Sequence, residues 1–183
     1  KKKKIIWCAR NDGQLVGLTY QREQQVVAWH RHIFGGVFGS GNAVCDSVAT
    51  IPTDDSEYQT WVIIKRTING ATKRYVEYIH QYDFDETDDT SFNFLDSQLA
   101  YDGSPVTTIS GLAHLEGKTV SVLADGSTHP DKVVSSGSIT LDRSASKVKV
   151  GLPYTSLLQT MRIDAGSQNG TSQSKTKRIY EIT

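Results

Sequence analysis

Side chains alternate with a period of two along almost the whole chain, and no stretch of ten or more residues keeps a clean helical period. That pattern predicts an all-β protein, because only a strand places successive side chains on opposite faces. Ile6 and Cys8 alternate with Trp7 and Ala9, Asp12-Gly13 turns the chain, and Leu15, Gly17 and Thr19 alternate with Val16, Leu18 and Tyr20. After the polar turn QREQQ, Val26 to His32 reads as a third strand, ending at the glycine-rich loop Gly35 to Asn42. Ala43 to Ile51 follows, stopped by Pro52 and an acidic turn. Trp61 to Ile68 and Ala71 to Ile79 flank Asn69-Gly70, the strongest hairpin signal in the sequence, since both central positions of a type I′ turn need positive φ. Together these segments form an antiparallel meander.

From Gln81 to Ser104 the composition changes, with an acid-rich run at Asp83 to Asp89. The run lacks the glycine and closing glutamate of a calcium loop and reads as a solvated connector. A second β-unit then begins at the strand PVTTIS. Gly111 to Gly117 is too short for more than a helical turn, and Thr119 to Ala124 is turned by Asp125-Gly126 into Lys132 to Val134. Ser138 to Leu141, Lys147 to Tyr154, Thr160 to Ala165 and Lys177 to Ile182 complete a set of short strands whose spacing suits a small barrel or sandwich. The expected organisation is a blade-like segment over 1–82, a connector over 83–104 and a small β-barrel over 105–183.

Twenty basic and twenty acidic residues cancel, which argues against a surface wholly dedicated to nucleic acid or anionic lipid. No apolar run approaches the roughly 18 residues of a membrane span, so membrane insertion is not expected. Cys8 and Cys45 lie in apolar strand-like runs without CxxC spacing and read as buried, reduced thiols. The run Lys1 to Lys4 reads as a solvated tail.

Candidate chemistry is sparse. His30 and His32 share one face of a strand and would supply two metal ligands, but no third is nominated nearby. His80, His114 and His129 fall at a strand end, a turn and a loop, and a packed Trp29-His30 pair is the plainer reading. There is no GxSxG elbow, Gly39 to Gly41 is a loop, and no Gly-Lys-Ser/Thr follows the glycine-rich segment. Acid pairs such as Asp54 and Asp55, or Asp83 and Asp85, suit turns better than glycoside hydrolysis. Asn169-Gly170-Thr171 reads as a turn rather than a glycosylation site. Trp7, Trp29, Trp61 and Tyr101 are possible elements of a sugar platform, although such residues more often pack in a core. The expectation is therefore no catalytic, metal or cofactor site.

Three blocks carry a family resemblance: GQLVGLTYQREQQVVAWHRH at Gly13 to His32, WVIIKRTINGATKRYVEYI at Trp61 to Ile79, and GLAHLEGKTVSVLADG at Gly111 to Gly126, with GLPY at Gly151 to Tyr154 in support. In order and content they resemble the tail nozzle, or "stabilisation", proteins of short-tailed bacteriophages and related prophages, over roughly residues 5 to 180. The resemblance implies a propeller-like region of about one and a half blades, then a small β-barrel likened in fold to a half-domain of the ubiquitin-activating enzyme, without its chemistry. It also implies a piece of a longer virion protein, made in the bacterial cytoplasm and built into the phage tail. Subunits of that family form a ring, implied to be hexameric, that forms or closes the DNA-exit channel and docks adaptor and fibre proteins. Genomic DNA would pass without sequence-specific binding, with Asp83 to Asp89 a candidate for a channel face that does not grip the polyanion. The alternatives are a β-rich module that recognises a cell-surface glycan and, more remotely, a hydrolase of envelope polymer.

Overall fold

The computed structural model describes residues 5–53, 58–80 and 92–159, and in these the protein is all-β and antiparallel. Among the described residues there are twelve strands and two single turns of 3-10 helix, Arg22–Gln24 and Ala113–Leu115, and most strands that follow one another are joined by short turns.

The first sheet is the meander β1 (Ile5–Ala9), β2 (Leu15–Gln21) and β3 (Val26–His32). Its first turn is closed by Gly13 N–H donating to Arg10 O (2.9 Å), with Gly13 at φ 86°, a conformation that suits glycine. A two-residue hairpin, β4 (Val37–Phe38) with β5 (Gly41–Asn42), lies inside the expected glycine-rich loop. The third sheet is β6 (Val44–Pro52), β7 (Tyr58–Ile68) and β8 (Ala71–Ile79). Asn69 and Gly70 hold φ 47° and 74°, so the expected type I′ hairpin is present, with Ile68 opposite Ala71. Leu15, Ala43, Cys45, Val62 and Ile64 form the shared core of these sheets, with Trp7, Phe34, Val48 and Ile79 packed around it.

The last four strands form one sheet in the order β11-β10-β12-β9, from β9 (Asp96–Ser110), β10 (Thr119–Ala124), β11 (Ser127–Val133) and β12 (Ser138–Leu152). It has a separate core centred on Ile109, Leu112, Leu115, Val120, Val134, Val148 and Val150. Asp125 and Gly126 make a second positive-φ turn, at 50° and 75°. Asp125 Oδ1 then accepts from Ser146 N–H (3.0 Å) and Lys147 N–H (2.8 Å), pinning the turn beside an irregularity in the β9–β12 ladder. Register shifts at Thr140/Ala145, Ala145/Lys147 and Val150/Leu152 bend the two 15-residue strands, as bulges do.

The sequence reading needs several corrections. The segments Ser138 to Leu141 and Lys147 to Tyr154 are not separate strands: they belong to the single bent β12, which ends at Leu152. The second unit begins at Asp96, inside the span assigned to the connector, and Pro105 sits within β9 instead of opening a strand. Proline is tolerated there because β9 is an edge strand among the described residues and the ladder is irregular nearby. The two larger sheets of the first unit have three strands each and β4–β5 only two, and no fourth strand completes a blade among the described residues. The acid-rich run, Asp54, Asp55, Lys1 to Lys4, the Asn169 turn and the strands expected from Thr160 and Lys177 lie outside the described residues.

Candidate interaction faces and the polar joint

Strand alternation gives each sheet of the first unit an inner and an outer face. In the first sheet, register aligns Ile6 with Leu18 and Trp29, and Cys8 with Val16 and Arg31. These residues lie on the outer face, where Trp29 is 65% exposed and Ile6 and Val27 are also open. A hollow of about 550 Å³ on this sheet is lined by Cys8, Arg10, Val16, Trp29, His30 and Arg31. In the third sheet Trp61 stands opposite Ala49 and Tyr78, and Ile63 opposite Ser47 and Val76. That outer face is also apolar: Val76 is 67% exposed, and the Trp61 and Tyr78 rings lie 5.4 Å apart. At its end Asp46 accepts from Arg74 Nε (2.7 Å) and pairs with Lys65 (3.1 Å), which holds its carboxyl below the usual range. Both sheets thus keep exposed apolar side chains on these faces, the kind of patch that marks an interaction surface, while the β4–β5 hairpin caps one end of the third sheet, with the Phe38 ring 4.6 Å from Lys65 Nζ and Gly39 N–H donating to Thr67 Oγ1 (3.1 Å).

The inner face of the first sheet holds the histidines. His30 Nδ1 lies 2.8 Å from His32 Nε2, and His30 Nε2 lies 3.2 Å from Thr19 Oγ1, so one imidazole donates to the other. Trp7 meets both rings edge-on, at centroid distances of 5.7 and 4.9 Å. Gly17 makes room for the cluster, since a Cβ there would fall 2.3 Å from a His30 ring carbon. Burial, and then repulsion from His30, lowers the His32 pKa. Among the described residues no group of three His, Cys, Asp or Glu side chains converges as metal ligands. His30 is therefore packed with Trp7 instead of Trp29, whose ring points the opposite way. Trp7, Trp29, Trp61 and Tyr101 are distributed over different faces, and Tyr101, in the second unit, donates its hydroxyl to Ser104 O (2.7 Å). They do not form one platform. Cys45 is buried, with its Sγ–H 3.4 Å from Ser47 O and its pKa raised chiefly by burial. Cys8, expected to be buried, is exposed because its phase in β1 is the outer one.

His114 Nε2 donates to Ser97 O (3.0 Å), and its ring meets Tyr75 of β8 at 6.2 Å. His129 is buried, and its tautomer follows from its partners. Asp142 N–H donates to Nε2 (2.9 Å), so Nε2 carries no proton, and Nδ1–H donates to Pro130 O (2.9 Å). With Lys132 Nζ 2.5 Å from Asp142 Oδ1, this contact ties β11 to the first half of the bent β12.

The sequence reading missed the most buried charge. Arg66 is fully buried and forms a bidentate pair with Glu77, while its Nε–H donates to Gly35 O (2.8 Å). Gly35 N–H donates in turn to Asp96 Oδ2 (2.6 Å), at the start of β9. A side chain at Gly35 would not fit, because a Cβ would lie 2.8 Å from the Pro153 carbonyl oxygen and 2.9 Å from Leu152 Cβ. The loop around Gly35 is thereby wedged between β7 and the β9–β12 pair, joining the two units through polar contacts. A signal existed: Arg66 falls in phase with Val62, Ile64 and Ile68, so a period-two reading places it on the buried face.

Asp96 titrates higher than an ordinary carboxyl, mainly because burial disfavours its charge; Glu77 adds to that, while the Gly35 hydrogen bond and Arg66 oppose it. The folded chain therefore holds the Asp96 proton more tightly than the unfolded chain. Its contribution to stability is present below the unfolded pKa and is lost as pH rises through the folded value. Asp96→Asn keeps the oxygen that accepts from Gly35 but cannot ionise. Urea midpoints measured from about pH 4 upward should show the variant gaining on the wild type as pH rises. Parallel curves would show that the carboxyl is free of this burden.

Compared with known proteins, the chain matches no family model and no curated protein sequence.

Proposed function

We propose that this chain is part of a structural virion protein of a short phage tail, a nozzle or tail-tube component that works by self-association and carries no catalytic site. In this reading the first unit is blade-like and the second is a small barrel. Copies assemble in a ring around the DNA-exit channel and dock adaptor or fibre proteins. The observation that carries it is the pair of apolar outer faces, around Trp29 and around Val76, in sheets already packed on their inner sides. Stacked units need such faces on both sides, and a subunit interface must bury on the order of 1,200–2,000 Å². The three-block resemblance supplies the tail context.

Sedimentation and electron microscopy of the purified protein test it, and a closed ring is the expected result. Trp29→Glu together with Val76→Glu should dissociate the ring while the melting temperature stays nearly constant. A wild-type protein that remains monomeric at every concentration, alone and with tail extracts, would sink the proposal. The hollow that places Trp29 beside Arg10 and Arg31 favours a second reading, a module recognising a cell-surface glycan. Saturable binding on a glycan array by a monomeric protein would decide for that reading.

A further inference from the structure

Beyond Leu152, where β12 ends, the chain runs on to Gln159 in no regular element, and there Leu157 and Leu158 are 85% and 87% exposed. No other large apolar side chain among the described residues is as open. Tyr154 to Gln159 carries no charge, so this arm can enter an apolar site without stranding an ion.

A site of that kind lies on the second unit, on the face of its sheet away from the core. A hollow of about 200 Å³ is lined there by the Phe92 and Phe94 rings, 5.4 Å apart, with Leu95, Leu123 and Thr128. Its walls are almost wholly apolar, and Lys149 beside it already donates to Asn93 Oδ1 (2.9 Å). Since a cavity of about 150 Å³ accepts benzene, the hollow has room for one leucine side chain. The arm departs from elsewhere. Leu152 belongs to the core on the opposite face, and Pro153 O lies at the joint, where a Cβ on Gly35 would fall 2.8 Å from it. A protruding apolar group and a hollow for it at separate places on one molecule make a heterologous contact, which generates a ring when the rotation closes.

We infer, on the ring reading above, that copies of this chain are linked head to tail by their arms: a leucine of the Leu157-Leu158 pair of one copy seats in the hollow beside Phe94 and Leu123 of the next. One seated leucine alone falls short of a millimolar complex, so the hollow holds no free partner by this contact. In a ring each copy gives one arm and receives one, and the contact forms at the high effective concentration of a neighbour already held by the apolar faces.

The test uses the whole chain. Leu157→Asp with Leu158→Asp should weaken self-association in sedimentation by about 10- to 100-fold per contact, the share of one buried leucine, with the melting temperature unchanged. Leu123→Lys should do the same from the receiving side. All three substitutions together should weaken assembly little further, because both lesions strike one contact. For a direct reading, Ser156→Cys protein is mixed with Thr128→Cys protein, each also carrying Cys8→Ser, and mild oxidation should join the two populations by a disulfide. Additive losses in a chain that still forms rings, or no disulfide between the populations, would overturn the inference and leave the ring reading standing. A wild type that is monomeric throughout overturns both. Ser156→Cys and Thr128→Cys placed in one chain complete the test: a bond closing within a monomer would put the arm in its own hollow and overturn the exchange between copies.

Discussion

Replacing Arg66 with alanine is expected to destabilise the protein by about 3–5 kcal/mol, a large share of the roughly 5–15 kcal/mol that a domain has in total. The substitution removes a fully buried guanidinium and leaves Glu77 charged against β7 with no bidentate partner. It also strips Gly35 O of its donor and loosens the loop that reaches Asp96. The double variant Arg66→Met with Glu77→Leu should lose much less, because apolar groups of similar bulk leave no orphaned charge behind. Urea unfolding of the two proteins checks this. A single variant within about 1 kcal/mol of wild type would mean that water reaches the Glu77 carboxylate and substitutes for the arginine.

Leu115→Ala should cost about 2.7–5 kcal/mol, the range for a leucine truncated in a core that collapses only partly. The turn from Gly111 to Gly117 is short, but it delivers Leu112 and Leu115, both fully buried, against Val120, Val134 and Val148. It is held at both ends, by Leu112 N–H to Gly137 O (2.9 Å) and Lys118 N–H to Leu115 O (2.9 Å). Glu116 adds carboxylate contacts to Ser136 N–H (3.0 Å) and Gly137 N–H (2.7 Å). Ala113→Ser, at an exposed position of the same turn, should change stability by only about 0.5 kcal/mol. Equal losses in the two variants, read by calorimetry, would point to disruption of the turn itself in place of a core cavity.

The residues that made the fold legible are those whose local chemistry leaves one option. Asn69-Gly70 and Asp125-Gly126 tolerate positive φ, and β8 and β10 beside them have the expected ends, whereas β11 starts at Ser127 and not at Lys132, which places His129 in a strand and not in a loop. Long strands were harder to read. Asp96 to Ser104 is polar and mixed, so the first half of β9 has no apolar rhythm, and its place is set by pairing with β12. The interval between Leu141 and Lys147 resembles a loop because a register irregularity interrupts the alternation there. The interaction faces are only half visible in the sequence: strand alternation sets Trp29 apart from His30 and Val76 apart from Tyr75, yet composition cannot separate an uncovered apolar face from a buried one. The joint around Arg66 depends on Gly35 and Asp96, which are remote in sequence, and only the Arg66 phase announced it.

The order of strands in the second unit governs how that unit is born. β12 is the last of its four strands to be synthesised, yet it lies between β10 and β9, with Leu152 opposite Asp96. Until it emerges from the ribosome, β9 has no hydrogen-bonded neighbour among the described residues, and β10 with β11 is a two-stranded hairpin, a marginal structure in water. Closure must wait for the most distant contacts in the unit, a topology that folds in milliseconds to seconds and leaves nascent β9 exposed to proteases and aggregation in the meantime.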